Sequence, residues 1–292
     1  AADAAWPGSN GAIFFVELAA DEEGLDRSPD GIWRRAPGER RPRVQLTADS
    51  SDGEPTVSPN GQWIAFSRVI PAGETQPTVG RAIFMMRTDG SGVSQLTDGR
   101  HGDSAPAFTR SGRRILFTRS PRVEAPRASI YSVRTDGTGL RRLTSGHEPT
   151  FSPRGNLVAF IRGAHVHTMR PDGSRIRDLT PRLGKAANEP DFSPSGRAIA
   201  FAASEESESH IYTVRLRDGK ISQLTRTPDR CGRCELYSDP AYAPDGRALI
   251  ATATDYFHFR METVRFTRPP LTELGHFGAL KEPVWQPRPG SR

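Results

Sequence analysis

The sequence predicts an all-β fold, a six-bladed β-propeller with four antiparallel strands per blade. Three observations predict it. A strand–turn–strand stretch occurs six times, most clearly as Glu189-Pro190-Asp191-Phe192-Ser193-Pro194-Ser195-Gly196-Arg197-Ala198-Ile199-Ala200-Phe201. The prolines that open it (Pro55, Pro106, Pro149, Pro190, Pro240 and Pro283) are spaced 51, 43, 41, 50 and 43 residues apart, and a four-stranded blade takes about 40–50 residues. Gly and Pro together make about 18% of the 292 residues, against roughly 12% on average. No segment sustains a helical apolar period.

Within each unit the strands follow in the order A to D. Strand A begins at the signature proline and ends in a Ser-Pro-x-Gly turn, which returns the chain as strand B. Strand B carries Ile64/Phe66, Ile115/Phe117, Val158/Phe160 and Ile199/Phe201, and the residues between them (Ala65, Leu116, Ala159, Ala200) are apolar too. Both faces therefore read as buried, as blades stacked face to face require. Strand C, such as Ile130-Tyr131-Ser132-Val133, runs into Asp89-Gly90, Asp136-Gly137, Asp172-Gly173 or Asp218-Gly219. Asp-Gly is a hairpin signal because Gly tolerates positive φ. Strand D ends in Leu46-Thr47, Leu96-Thr97, Leu143-Thr144, Leu179-Thr180 or Leu224-Thr225. The last unit departs most, with Ile250-Ala251 in strand B and Thr267-Arg268-Pro269-Pro270 in place of Asp-Gly.

The two ends complete the count. The C-terminus supplies a lone strand A, from Glu282 to Pro287, and the N-terminus supplies B, C and D at 11–16, 31–34 and 43–47. Joined, they make the sixth blade and close a ring, which removes exposed sheet edges. The expected organisation is one domain over 1–292, with blades at 283–288 plus 11–47, 54–97, 105–144, 148–180, 189–225 and 239–275.

These motifs resemble those of the TolB-like, or PD40 (WD40-like repeat), β-propeller family. Pro240-Ala241-Tyr242-Ala243-Pro244-Asp245-Gly246-Arg247 and Glu148-Pro149-Thr150-Phe151-Ser152-Pro153-Arg154-Gly155 carry the likeness, which extends over 11–288. It implies a bacterial, extracytoplasmic protein (periplasmic, secreted or lipid-anchored through a removed N-terminal segment) that binds proteins or small ligands at its channel mouth. Related propellers of peptidases sit beside an α/β-hydrolase domain, but this chain has no Gly-x-Ser-x-Gly nucleophile elbow.

Composition excludes several classes. The net charge is +6 and the pI about 9.8. The basic residues are scattered, with no stripe interleaved with aromatics, which argues against nucleic-acid binding. The longest apolar run, 12–16, is far too short to span a membrane. No phosphate-binding Gly-rich loop is present. A monomer is expected.

Loop length separates the two faces of the ring. The A–B and C–D turns are short, whereas the B–C connections (19–30, 69–81, 119–128, 202–209) and D–A connections (98–104, 181–188, 226–238) are long. Binding residues concentrate on long loops carried by a rigid scaffold. The residue before the signature proline on that face is Glu54, Ala105, Glu148, Glu189, Asp239 or Glu282. Five carboxylates are thus expected around the channel mouth, with Asp103 compensating where Ala105 interrupts them. Two readings stand: each carboxylate accepts backbone N–H groups at its turn, or the ring attracts a cation or a basic partner. No cofactor is firmly predicted, although such a ring suits Ca²⁺ or another divalent cation.

His101 and His147 lie in D–A loops beside this ring, and His258 follows Tyr256 and Phe257 in a B–C loop. His165 and His167 share one side of a strand, but His167 falls where other units have Trp33, Phe84, Tyr131 and Tyr212, a packing position. Cys231 and Cys234 lie in the longest D–A loop, without the further ligands a zinc knuckle needs. A local disulfide or a reduced, inert pair are the readings for them. The expected function is a non-enzymatic binding scaffold that takes a protein segment or small ligand at the acidic mouth. The alternative is a polysaccharide lyase or glycosidase that uses histidines and carboxylates at the same mouth.

Overall fold

A computed structural model describes residues 10–18, 29–36, 43–73, 79–123, 127–206, 208–226, 236–254, 259–265, 271–273 and 279–287. These residues form only strands, bridges and turns. The N-terminal strands β1 (Asn10–Leu18), β2 (Pro29–Arg35) and β3 (Arg43–Gln45) are joined by the C-terminal β24 (Ala279–Pro287), in the order β24-β1-β2-β3. Ile13 pairs with Trp285 and Phe14 with Val284, so the predicted union of the two chain ends is present.

The next sheet contains β4 (Gly53–Val57), β5 (Trp63–Ile70), β6 (Gly80–Arg87) and β7 (Ser94–Gln95), followed by β8 (Gly102–Phe108), β9 (Arg114–Ser120), β10 (Ser129–Arg134) and β11 (Arg141–Ser145). A single parallel contact, Arg81 with Gly102, joins the two quartets. β12 (His147–Phe151), β13 (Val158–Arg162), β14 (His165–Met169) and β15 (Arg177–Asp178) stand as their own four-stranded sheet. In the last sheet, β16 (Ala186–Phe192), β17 (Ala198–Glu205), β18 (Glu208–Arg215) and β19 (Ile221–Gln223) join β20 (Leu236–Tyr242), β21 (Ala248–Thr254), β22 (Phe259–Arg265) and β23 (Leu271–Glu273). Here Ser209 and Leu236 make the one parallel contact. Among the described residues no sheet closes on itself.

Successive quartets pack face to face through strand B. Ala65 and Ile83 meet Phe108, Ile115 and Phe117; Leu116 and Ile130 meet Phe151, Val158 and Phe160; Ile161 and Val166 meet Phe192, Ile199 and Phe201. Ile250 of β21 packs with Ile13 and Phe15 of β1. This two-sided burial explains why the residues between the strand-B aromatics are small and apolar. The first strands adjoin in succession, β4 by β8, β8 by β12, β12 by β16, β16 by β20 and β20 by β24, which in turn lies by β4.

Each sequence signature has a local cause. Gly61 donates its N–H to the Ser58 carbonyl at 2.8 Å, and the Ser58 hydroxyl accepts from Trp63 N at 2.9 Å, so Ser-Pro-x-Gly is a self-bonded turn. Gly90 has φ +90° and Asp89 accepts from Ser91 N at 2.9 Å. The Leu-Thr ending places a threonine hydroxyl under strand C: Thr47, Thr97, Thr180 and Thr225 each accept an N–H, from Ile32, Ile83, Val166 and Ile211, all at 2.9 Å. Thr180 is fully buried. Thr180→Val strands the Val166 N–H and is expected to cost about 1–3 kcal/mol in urea denaturation, with Thr180→Ser retaining most of the stability; equal stability of Val and Thr variants would refute that role.

One predicted loop is not a loop. The B–C connection at 202–209 is part of a paired hairpin, with Ala203 opposite His210 and Glu205 opposite Glu208. The strands instead extend to Glu205 and from Glu208, both of them exposed.

Candidate functional site

The site begins at the strand-A bulge. Proline lacks the N–H that a ladder needs, so it is confined to edges and bulges. In β4 the register slips between Gly53 and Thr56, in β8 between Ser104 and Ala107, in β12 between His147 and Thr150, in β16 between Asn188 and Asp191, and in β20 between Ser238 and Ala241. Each slip contains the signature acid–proline pair or its Ala105-Pro106 counterpart. A residue before proline is ordinarily extended. Here it is left-handed: φ is 53° at Glu54, 47° at Ala105, 52° at Glu148, 54° at Glu189, 49° at Asp239 and 54° at Glu282. Such backbone costs about 1–3 kcal/mol per residue and persists only where its surroundings over-determine it.

The surroundings are the neighbouring acid. The carboxylate of Glu282 accepts the N–H of Glu54. Glu54 Oε2 accepts from Ala105 N at 2.9 Å, Glu148 Oε2 from Glu189 N at 2.5 Å, and Glu189 Oε2 from Asp239 N at 2.6 Å. Glu282, Glu54, Glu148 and Glu189 thus each hold the strained N–H of the next unit. The backbone-accepting reading is correct, but the bond crosses between units instead of staying within the turn. Where Ala105 supplies no carboxylate, Glu148 N donates to the Thr118 hydroxyl at 2.8 Å.

Asp103 does not fill the gap left by Ala105. It is fully buried, and both of its oxygens accept from Arg119, Nε at 2.7 Å and Nη2 at 2.6 Å. A buried carboxylate needs a paired cation, and this pair draws Asp103 into the sheet. Asp52 and Arg68 repeat the arrangement at 2.6 and 2.7 Å. The sequence reading missed both pairs. Their signal is an arginine two residues after the strand-B phenylalanine, at Arg68, Arg119 and Arg162; each guanidinium lies over an aromatic ring, 5.4 Å from the Phe66 centroid, 5.3 Å from Phe117 and 5.3 Å from Phe160.

The charges of these acids are unevenly matched. His147 Nδ1 lies 3.3 Å from Glu148 Oε1. Burial works against both charged forms, yet their hydrogen bond and mutual attraction prevail, holding the Glu148 carboxyl below the ordinary value and the His147 imidazole above it. Glu54 has Arg81 Nη1 at 3.7 Å and the Ser67 hydroxyl at 2.8 Å. Glu189 has neither kind of partner among the described residues. Burial, then the charges of Asp239 and Glu148, push its carboxyl well above the ordinary value.

The remaining candidates separate. His101 Nδ1 is 3.8 Å from Asp98 Oδ1, and among the described residues it pairs with none of the acids before the signature prolines. His165 Nδ1 meets Asp178 Oδ2 at 2.8 Å. His167 packs on Phe160 with ring centroids 5.5 Å apart, the place Phe84 takes on Phe66 and Tyr212 on Phe201, so its packing role is as expected. Cys231, Cys234 and His258 lie outside the described residues. Among the described residues no three His, Cys, Asp or Glu side chains converge as a metal site.

No protein-family model matches the sequence, and neither does any curated protein. Solved structures do share the fold. TolB from Acinetobacter baumannii is 18% identical with a TM-score of 0.75, over 95% of this chain and 67% of that one. Hydrazine synthase from Kuenenia stuttgartiensis is 16% identical with a TM-score of 0.74, over 97% of this chain and 48% of its own. A chain of a nidogen/laminin complex is 12% identical with a TM-score of 0.70, over 94% of this chain and 98% of its own. The fold is therefore that of TolB-like β-propellers, one that also occurs in an enzyme and in a protein–protein complex, so the fold alone assigns no activity. Among the described residues no helix is long and apolar enough to cross a membrane.

Proposed function

We propose that residues 1–292 form one six-bladed propeller closed by β24, and that it acts as a non-enzymatic binding scaffold in an extracytoplasmic compartment. Its ligand is a basic protein segment or a small cation-bearing molecule, taken at the channel mouth on the B–C/D–A face. The observation that carries this reading is Glu189, held between Glu148 and Asp239 with no cationic partner among the described residues. Two like charges crowd it, so an incoming ammonium or guanidinium relieves repulsion as well as gaining attraction. The nidogen/laminin neighbour supports a protein-binding use of the fold at large.

The proton on Glu189 supplies a signature. Its pKa stands well above the ordinary carboxyl value in the free protein, and a bound cation favours the ionised form. Binding must therefore release a proton at pH values between the two. Calorimetry of an Arg-rich peptide in buffers of differing ionisation enthalpy is expected to show that release, and Glu148→Ala combined with Glu189→Ala is expected to weaken the peptide at least about tenfold, the loss of one charge-assisted contact. Unchanged affinity in the double variant would overturn the reading.

A further inference from the structure

A second pocket opens on the same face, between the quartet of β4–β7 and that of β8–β11. It is a cavity of about 210 Å³ lined by Glu54, Arg81, Gly102, Ser104, Ser120 and Val123. We propose that it binds a free α-amino acid with a small side chain, the carboxylate on Arg81 and the ammonium on Glu54. This goes beyond the cationic reading and does not depend on Glu189.

Arg81 is the cavity's cation, and most of its donors are unspent. Arg68 and Arg119 each commit two nitrogens to one carboxylate at 2.6–2.7 Å. Among the described residues the Arg81 side chain reaches only Ser67 Oγ at 3.4 Å and Glu54 Oε2 at 3.7 Å, although a guanidinium carries five N–H donors in a planar fork. That fork suits a carboxylate bidentately. Glu54 uses Oε2 for Ala105 N, Ser67 and Arg81, and no described residue donates a hydrogen bond to its Oε1.

The closeness of the two charges selects the ligand. A simple carboxylate on Arg81 is repelled by Glu54, and a simple ammonium on Glu54 is repelled by Arg81. An α-amino acid carries both charges on one carbon and satisfies both. The walls set the size. A Cβ at Gly102 would sit 2.8 Å from the Arg122 carbonyl and 3.0 Å from Val123 Cα, so backbone closes that side. A volume near 210 Å³ holds about seven waters at 30 Å³ each and falls below the roughly 300–1,000 Å³ of sites for drug-sized ligands. Ser104 and Ser120 offer hydroxyls and Val123 an apolar contact, which favours serine- or alanine-sized side chains.

The test is calorimetric titration of the full chain with glycine, L-serine and L-alanine, beside glycinamide, which lacks the carboxylate, and acetate, which lacks the ammonium. The amino acids are expected to bind, and glycinamide and acetate to bind at least about tenfold more weakly, one charge-assisted interaction each. Arg81→Gln is expected to lose at least about tenfold for L-serine. Val123→Phe, which fills the cavity without touching either charge, is expected to abolish binding while leaving circular dichroism unchanged. Failure of all three amino acids to bind the wild type, equal binding of acetate or glycinamide, or undiminished L-serine binding by a folded Val123→Phe variant would each overturn the proposal.

Discussion

Asp103→Ala is expected to lower the unfolding free energy by about 3–5 kcal/mol, the usual cost of removing one partner of a buried ion pair. Asp103 is fully buried and Arg119 is 8% exposed. The guanidinium spends two nitrogens on this carboxylate and lies 5.3 Å from the Phe117 centroid and 5.1 Å from that of Tyr131. Packed over those two rings, it regains little water when the carboxylate is lost. Thermal and urea denaturation read the effect, and a loss below about 1 kcal/mol, the range of surface pairs, would refute it. Replacing both members, Asp103→Leu with Arg119→Met, is expected to recover most of the loss, because no buried charge then remains unpaired. Asp52→Ala is expected to cost less, since Arg68 keeps Asp49 at 3.3 Å with its side chain 21% exposed, whereas the Arg119 side chain, 9% exposed, keeps only Asp98 at 3.9 Å.

Glu189→Gln is expected to stabilise the free protein at neutral pH and to destroy part of its affinity for a basic segment. Burial and the charges of Asp239 and Glu148 raise the Glu189 carboxyl well above its ordinary value. The folded chain therefore binds this proton more tightly than the unfolded chain does. Stability contributed by such a group is full below the unfolded carboxyl value and falls as pH rises through the raised folded value. A glutamine has no charge to repel, and its carbonyl oxygen can still accept the Asp239 N–H. Melting temperatures of variant and wild type should thus converge in acid and separate, with the variant higher, toward neutral pH. A variant that melts lower than the wild type at every pH would show that the carboxylate is a structural acceptor and nothing more. Stability surrendered at a binding position is a common signature of function.

The repeats make the local architecture legible in the sequence. Ser-Pro-x-Gly, Asp-Gly and Leu-Thr are hydrogen bonds within a few residues or between adjacent strands, so the residue types that make them recur at fixed offsets. The union of the chain ends was legible for the same reason, because a lone strand A at 282–287 and a lone B–C–D at 11–47 each lack what the other has. The acid before proline was legible as a position, and its backbone was not. Neighbour preferences predict an extended residue, and the left-handed turn at Glu189 or Asp239 exists because a carboxylate from the preceding unit holds its N–H; at Glu148 the Thr118 hydroxyl serves instead.

What the sequence determined by itself is therefore the all-β fold class, the strand order within each unit, and an acid before the signature proline in five of the six units. Those follow from short-range chemistry repeated along the chain. Only the tertiary structure decided what each acid does. Asp103 and Glu54 are both acids at the start of strand A, yet one is buried against Arg119 and the other lines a cavity with Arg81. Glu148 is matched by His147 and Glu189 by nothing described. The physical reason is that ionisation and free bonding capacity depend on burial and on which charges approach from neighbouring sheets, and those distances are set by how the units pack and are not written at any fixed offset in the chain.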